Sequence, residues 1–269
     1  EPSTDNAISW ATAFYANTLA GYIANSQPRI KAVFDNWRLS GGTKKTFLSR
    51  LEQNQDVKNI LLGESPWLLE ATTEAEQQQR IATLFDVNQL NYRNMASLLK
   101  LKEDGAWSWF GGMSGNRYVT GYITGLLVRL SLLTDKALPE EAAMMKAKAF
   151  DYLNKEALKE YRAIRKAEKN GTKITVLSDA TMEYMYLVSL GSVKLSGEYA
   201  KAFGYFLTKL GRNLESGTMI RKAQTAVILQ KAGHKTEADE FIASIKEHLV
   251  QTDEMGAHFA FHANPYTWG

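Results

Sequence analysis

The sequence contains no cysteine, and this absence excludes several kinds of chemistry together. Disulfide frameworks, thiolate zinc sites, iron–sulfur clusters and cysteine nucleophiles all require a sulfur atom that this chain does not have. The absence does not indicate a compartment, because proteins of reducing and of oxidising compartments can both lack cysteine. A chain of 269 residues can bury a full hydrophobic core without such cross-links.

Strong net charge, long apolar runs and proline are scarce as well. The 32 basic and 29 acidic residues leave a net charge of +3, which is too small to indicate a nucleic-acid partner. No apolar run approaches the roughly 20 residues that span a bilayer, so the sequence predicts no direct membrane insertion. Five prolines favour long helices. The opening EPSTDNAIS has no methionine and no signal-like apolar stretch, and we expect a fragment of a longer protein.

Apolar residues spaced three and four apart predict about ten helices and an all-α fold. Asn116 is suited to cap one helix, and Ser178 and Asp179 are suited to cap another. Gly171 and Gly233 are suited to end two others. The one candidate strand is KITVL at 173–177. The predicted helices cover 5–26, 28–38, 43–61, 73–85, 87–102, 116–133, 139–169, 178–190, 218–232 and 235–250.

The order of these helices favours an architecture built from helical hairpins. The short turn between the last two helices predicts an antiparallel pair. Consecutive hairpins are typical of a closed α/α toroid or of a solenoid. No linker rich in proline, glycine or serine divides the chain, so we expect a single domain over 1–269. The more polar stretch 27–86 is interpreted as an insertion within it.

Candidate catalytic and metal-binding residues are few. His258 and His262 are four positions apart, as two metal ligands on one helix face would be, but their glycine- and proline-containing surroundings favour packing or surface roles. The carboxylates that could serve general acid–base chemistry are Glu70, Asp104, Asp179 and Glu183. Capping and solvation explain the last two more simply. We therefore expect no metal, no cofactor and no enzymatic activity.

The most distinctive stretch is 98–130, where a turn at Asp104 is followed by an aromatic run. Trp107 and Trp109 lie one residue apart in this run, and Asn116 then caps the next helix. Two interpretations are open for the tryptophans. They could stack on a ligand such as a sugar or an isoprenoid, or they could fill one end of a helical barrel, which we favour because buried aromatic area is strongly stabilising.

Four segments, in order, carry a resemblance to a known family. They are PSTDNAIS at 2–9, DGAWSWFGG at 104–112 with the helix after it, the hairpin 222–238, and the aromatic segment 254–268. DGAWSWFGG followed by a small-residue-rich helix is similar to α/α-toroid proteins such as terpenoid cyclases and the thioester domain of alpha-macroglobulins. Together the segments most closely resemble the large bacterial cell-envelope alpha-macroglobulins. The resemblance implies an interaction surface that includes Asp104, Trp107, Trp109, Asn116, Arg117, Tyr118, His258, His262, Tyr266 and Trp268.

The residues that form the family's reactive bond are absent. That bond joins a cysteine thiol to a glutamine side chain three positions later, within the pattern Pro-x-Gly-Cys-x-Glu-Gln. Aligning Pro2 with the family proline places Asp5 at the cysteine position and Ile8 at the glutamine position. The four degenerate positions are Asp5, Asn6, Ala7 and Ile8.

The resemblance therefore implies a thioester-less, non-catalytic domain that helps a larger protein trap proteases by conformational change. Its partners would be proteases and neighbouring domains, and its location periplasmic, cell-envelope or extracellular. The family domain continues beyond the aromatic segment, so we expect an incomplete ring in this fragment. Two alternatives are an α/α-toroid enzyme of the cyclase or lyase type and a helical-repeat scaffold that binds peptides.

Overall fold

A computed structural model describes residues 4–26, 28, 32, 35–36, 59, 76, 95–96, 102–103, 105–134, 138–211, 214, 218–253 and 256–259. Over these residues the protein is mostly helical. The helices are α1 (Ala7–Ser26), α2 (Arg117–Leu133), α3 (Glu140–Lys169), α4 (Asp179–Leu190), α5 (Gly197–Lys209), α6 (Met219–Lys231) and α7 (Lys235–Lys246). The strands are β1 (Lys102–Glu103), β2 (Ala106–Trp107), β3 (Leu249–Thr252) and β4 (Gly256–Phe259).

The chain divides into two compact units, Glu1–Met145 and Lys146–Gly269, with the boundary inside α3. The predicted single domain over 1–269 stays a prediction. The all-α class is confirmed for the described residues, where the strands form two small antiparallel hairpins. None of the helices described is both long enough and apolar enough to cross a membrane.

In the first unit, α1 packs against α2. The buried positions of α1 include Ala7, Ala11 and Phe14, and those of α2 include Gly121 and Gly125. Apart from Phe14, these residues carry little or no side chain, so they add little bulk to the buried faces of the two helices.

The β1–β2 hairpin precedes α2 and contacts it through β2. Lys102 pairs with Trp107 and Glu103 with Ala106, and the turn between the strands uses Gly105 at a φ of 82°. A positive φ is readily adopted only by glycine, so this residue fixes the tight turn. The hairpin thereby places Trp107 against the start of α2.

In the second unit, buried residues on five helices form the core. They include Leu153 and Ala157 on α3, Met185 and Leu187 on α4, Phe206 on α5, Ile228 and Leu229 on α6, and Phe241 on α7. Helix α6 packs against both α4 and α7. Lys222 Nζ, in the first turn of α6, donates to Ser244 Oγ near the end of α7 at 3.0 Å, as the predicted antiparallel hairpin requires.

Local signals in the sequence predicted most helix ends correctly. Asn116 and Ser178 cap α2 and α4 by accepting the backbone N–H of Val119 and of Thr181, each at 3.1 Å. Helix α1 begins at Ala7 after its cap, Asn6. Helix α6 ends before Gly233, whose φ of 90° stops the helix.

Three predictions about elements were wrong. The helix predicted to run to Val250 ends at Lys246, and Leu249–Thr252 forms a strand that pairs with Gly256–Phe259. The segment 173–177 is not a strand, since it has no strand partner among the described residues. Helix α5 was not predicted, although its buried Ala202 and Phe206 have helical spacing. The helices predicted at 28–38, 43–61, 73–85 and 87–102, and with them the proposed insertion 27–86, lie outside the described residues apart from isolated positions.

Candidate functional site

The four degenerate positions lie at the start of α1, within a network of local hydrogen bonds that we call segment 4–9. The Asn6 carboxamide oxygen accepts the backbone N–H of Ser9 at 2.9 Å, and its amide nitrogen donates to Thr4 Oγ1 at 2.8 Å. Thr4 Oγ1 also lies 2.6 Å from Ser9 Oγ. Asp5 Oδ1 accepts the indole N–H of Trp10 at 2.7 Å. The polar side chains of this segment are therefore engaged with one another as a helix cap.

Segment 4–9 is joined to the aromatic loop, which we define as residues 105–116. The backbone N–H of Ala7 donates to the carbonyl of Trp109 at 3.1 Å. Ala7 has no exposed surface, so this hydrogen bond lies at a packed contact. The structure thus brings together two segments that are far apart in the sequence and that both carry the family resemblance.

Trp107 anchors the aromatic loop to α2. Its side chain has no exposed surface. Its backbone N–H donates to Thr120 Oγ1 at 2.9 Å, and its carbonyl accepts the N–H of Asn116 at 2.8 Å. Its indole Nε1 has no hydrogen-bond partner among the described residues. Trp107 is thus a buried packing residue, and its predicted position at one end of a helical barrel stays a prediction.

Trp109, in contrast, lies partly at the surface. It is 37% exposed and stacks on Tyr118, with ring centroids 6.0 Å apart and an interplanar angle of 21°. Phe110 and Met113 beside it are also exposed. The surface interpretation of the loop therefore fits Trp109 and Tyr118, while Arg117 is half-buried at the first position of α2.

Of the candidates near the carboxyl end, the structure describes His258. His258 lies in β4, where its Nδ1 is 3.1 Å from the carbonyl oxygen of Gly256. Within the described ranges, no group of three or more histidine, aspartate or glutamate residues is arranged to hold a metal ion. The other predicted site residues, Glu70, Asp104, His262, Tyr266 and Trp268, lie outside the described residues.

The carboxylates at 179 and 183 each contact α6 rather than each other. Asp179 forms an ion pair with Arg221, and Glu183 accepts a hydrogen bond from Gln224 Nε2 at 2.8 Å. The capping role considered for Asp179 is taken by Ser178. These contacts connect α4 to α6, consistent with a structural role for both side chains.

A charged cluster at the end of α5 was not found from the sequence. Lys209 Nζ donates to Glu168 at 2.7 Å and to the carbonyl of Ile174 at 3.3 Å, while Arg165 donates to the other oxygen of Glu168 at 3.0 Å. The hydrogen bond from Lys209 lowers the pKa of the Glu168 carboxyl and raises the pKa of Lys209. Burial raises the pKa of Tyr205, whose ring lies beneath both cations.

Comparisons with known proteins identify no relative of this chain. A scan against protein-family models, a search of curated proteins and a search of solved structures each found no match.

Proposed function

We propose that this chain is a thioester-less domain of an alpha-macroglobulin-like protein of the large bacterial cell-envelope type. In this proposal the helices belong to an α/α toroid. The domain is non-catalytic, and it contributes to the conformational trapping and inhibition of endopeptidases in the periplasm or at the cell envelope. Its partners are the neighbouring domains of the same protein and the trapped protease.

The observation that carries the proposal is the hydrogen bond from Ala7 to Trp109. The resemblance rests on short segments, and nothing in a linear sequence requires the first two to lie close together. Their contact at 3.1 Å, with Ala7 buried and α1 packed on α2, supports interpreting them as parts of one site.

The chemistry of segment 4–9 supports the thioester-less part of the proposal. A thioester needs a thiol and an acyl carbon three residues later, whereas Asp5 offers a carboxylate and Ile8 a hydrocarbon side chain. The carboxylate of Asp5 is held by Trp10, and the neighbouring polar groups cap α1. Trapping must then depend on a change of shape, since covalent capture through this segment is chemically impossible.

A trapping experiment on the parent protein tests the proposal. The full-length protein is mixed with proteases of different specificity, and small-angle scattering is recorded before and after cleavage. We expect cleavage to reduce the radius of gyration. We also expect the bound protease to keep its activity on a small peptide substrate while losing activity on a large protein substrate, because the collapsed trap excludes bulky molecules.

The matched control uses the same proteases after irreversible blockage of their active sites. A blocked protease cannot cut the trap, so neither the scattering nor the accessibility should change. Cleavage without compaction, together with unhindered access to the large substrate, would overturn the proposal.

A further inference from the structure

The second unit contains a pocket of about 250 Å³ between the connection that precedes α4 and helices α4 to α7. Three cationic side chains line it, those of Lys209, Arg221 and Lys222, against the single carboxylate of Asp179. We call this the basic pocket. Its lining residues all belong to the second unit, so its shape depends on that unit alone.

Two of the three cations have acidic partners. Arg221 forms an ion pair with Asp179, and Lys209 forms one with Glu168, which lies outside the lining. One positive charge therefore remains when both acids are counted. The remaining charge is that of Lys222.

Lys222 is buried without an acidic partner among the described residues. Only 6% of the residue is exposed, and its Nζ donates to the neutral hydroxyl of Ser244 at 3.0 Å. In the part of the chain that the structure describes, no carboxylate forms an ion pair with it. Buried charges in proteins are normally paired, because removing an ion from water is costly unless an opposite charge replaces the lost solvation. An anion in the basic pocket would supply that opposite charge.

The rest of the lining is apolar and determines what kind of anion fits. Leu177, Met182 and Phe241 contribute to the wall, and all three are buried. A hydrated inorganic anion would leave this surface unused, whereas an organic ligand would cover it. The volume lies just below the roughly 300–1,000 Å³ of pockets for drug-sized ligands, so the ligand is of fragment size.

We propose that the basic pocket binds a small organic carboxylate with an apolar body. The carboxylate lies on the side of Arg221 and Lys222, and the apolar body contacts Leu177, Met182 and Phe241. The arginine offers a planar, bidentate donor, and the lysine adds a charge that no carboxylate of the described residues pairs with. This proposal is independent of the function proposed for the whole chain.

Methyl NMR on the 269-residue chain tests the proposal with hexanoate as the probe. Carbon-13 labelling of methionine methyls gives a reporter in the pocket, Met182, and a buried reporter in the first unit, Met145. We expect a saturable shift of the Met182 resonance and no shift of the Met145 resonance. Hexanamide, which has the same body without the charge, and acetate, which has the charge without the body, should each bind at least about ten-fold more weakly.

Two lysines on α6 provide a matched pair of variants. Lys222→Met removes the buried charge with little change in volume and should weaken hexanoate binding by at least about ten-fold. Lys231→Met is the control, because Lys231 also donates to a serine, Ser192 Oγ at 3.3 Å, but does not line the pocket. It should leave the affinity unchanged.

If Lys222→Met does not fold, Arg221→Gln replaces it, with the same expected loss. The wild-type comparison of hexanoate with hexanamide does not depend on any variant. Equal affinity for these two compounds, no saturable shift of Met182, or unchanged affinity in a folded Lys222→Met protein would each overturn the proposal.

Discussion

Segment 4–9 in the first unit and the basic pocket in the second use their polar groups in different ways. In segment 4–9, Thr4, Asn6 and Ser9 bond to one another within a few residues. In the basic pocket, ion pairs join residues that are far apart in the sequence, and Lys222 has no acidic partner in the described part of the chain. The first arrangement is locally complete and caps a helix, whereas the second leaves one charge for a ligand to neutralise.

This difference separates two kinds of functional argument. Under the proposed function, the first unit is a thioester-like site without the reactive groups, and its importance lies in the contact between segment 4–9 and the aromatic loop. The basic pocket of the second unit is identified from its lining and its charges, which are arranged as the proposed binding site requires. Variants that disturb packing should therefore act most strongly in the first unit, and variants that remove charge should act most clearly in the second.

The largest effect is expected from Trp107→Ala. Trp107 has no exposed surface, and removing a buried tryptophan typically lowers the free energy of unfolding by about 3–5 kcal/mol. Trp109→Ala is the control, since Trp109 is 37% exposed and should cost less than about half as much. Denaturant titrations followed by circular dichroism measure both values. Equal losses for the two variants would contradict the distinct roles assigned to the tryptophans.

The next effect is expected from Thr120→Val, which keeps the side-chain shape but removes the hydroxyl. Thr120 Oγ1 accepts the backbone N–H of the buried Trp107 at 2.9 Å. Leaving that N–H without a partner should cost about 1–3 kcal/mol of unfolding free energy.

Thr124→Val is the matched control for this hydroxyl. Thr124 is equally buried, but its hydroxyl donates to the carbonyl of Thr120 within the same helix at 2.6 Å, so no N–H loses its acceptor. Denaturant titration should show a smaller loss than for Thr120→Val. A larger loss in the control would mean that the loop is not held through Thr120.

A smaller effect on stability is expected at positions 5 and 6, which are neighbours in segment 4–9. Asn6→Ala removes the cap of α1 and should cost about 1 kcal/mol, as caps typically do. Asp5→Ala removes only a hydrogen bond to Trp10 at an exposed position, so it should change stability by less than about 0.5 kcal/mol. Thermal unfolding of both variants checks the order. A larger loss for Asp5→Ala would show that position 5 has a structural role beyond this hydrogen bond.

Local chemistry explains which parts of the fold could be predicted from the sequence. Asn116, Ser178 and Gly233 determine helix ends through their own backbone and side-chain geometry, and the structure confirms all three. The predicted end of α7 was wrong because Leu249 and Val250 continue the apolar pattern of that helix. Their strand depends on pairing with Gly256–Phe259, which a local pattern does not contain.

The same limit applies to the sites. The two tryptophans were singled out from the sequence, but their division into one buried and one surface residue depends on the contacts of β2 and α2. The basic pocket was missed because its cations come from α5 and α6, and the acidic partners of these cations come from α3 and α4. One signal was present, since Lys222 falls in the same helical stripe as the buried residues Thr225, Ala226 and Leu229.

The smallest effect concerns the charged cluster that borders the basic pocket. The hydrogen bond from Lys209 lowers the pKa of Glu168 below its ordinary value of 4.5. The folded state therefore binds this proton less tightly than the unfolded state. The stability that the ionised carboxylate contributes is present above about pH 4.5 and is lost as the pH falls through the lowered pKa.

Glu168→Gln should make this part of the pH dependence disappear. The difference in melting temperature between the wild type and the variant should be largest near neutral pH and shrink as the pH falls below about 4.5. Added salt should also reduce this difference, because the cluster is accessible to solvent. Lys209→Met should remove the larger part of the same pH-dependent contribution, because the hydrogen bond from Lys209 is the main cause of the lowered pKa of Glu168. Arg165 still pairs with Glu168 in that variant, so the double variant should lose only the remainder. If the difference in melting temperature between wild type and Glu168→Gln is the same at every pH, the ion pair does not stabilise the fold. Glu168 should then not be counted as neutralising Lys209 in the basic pocket.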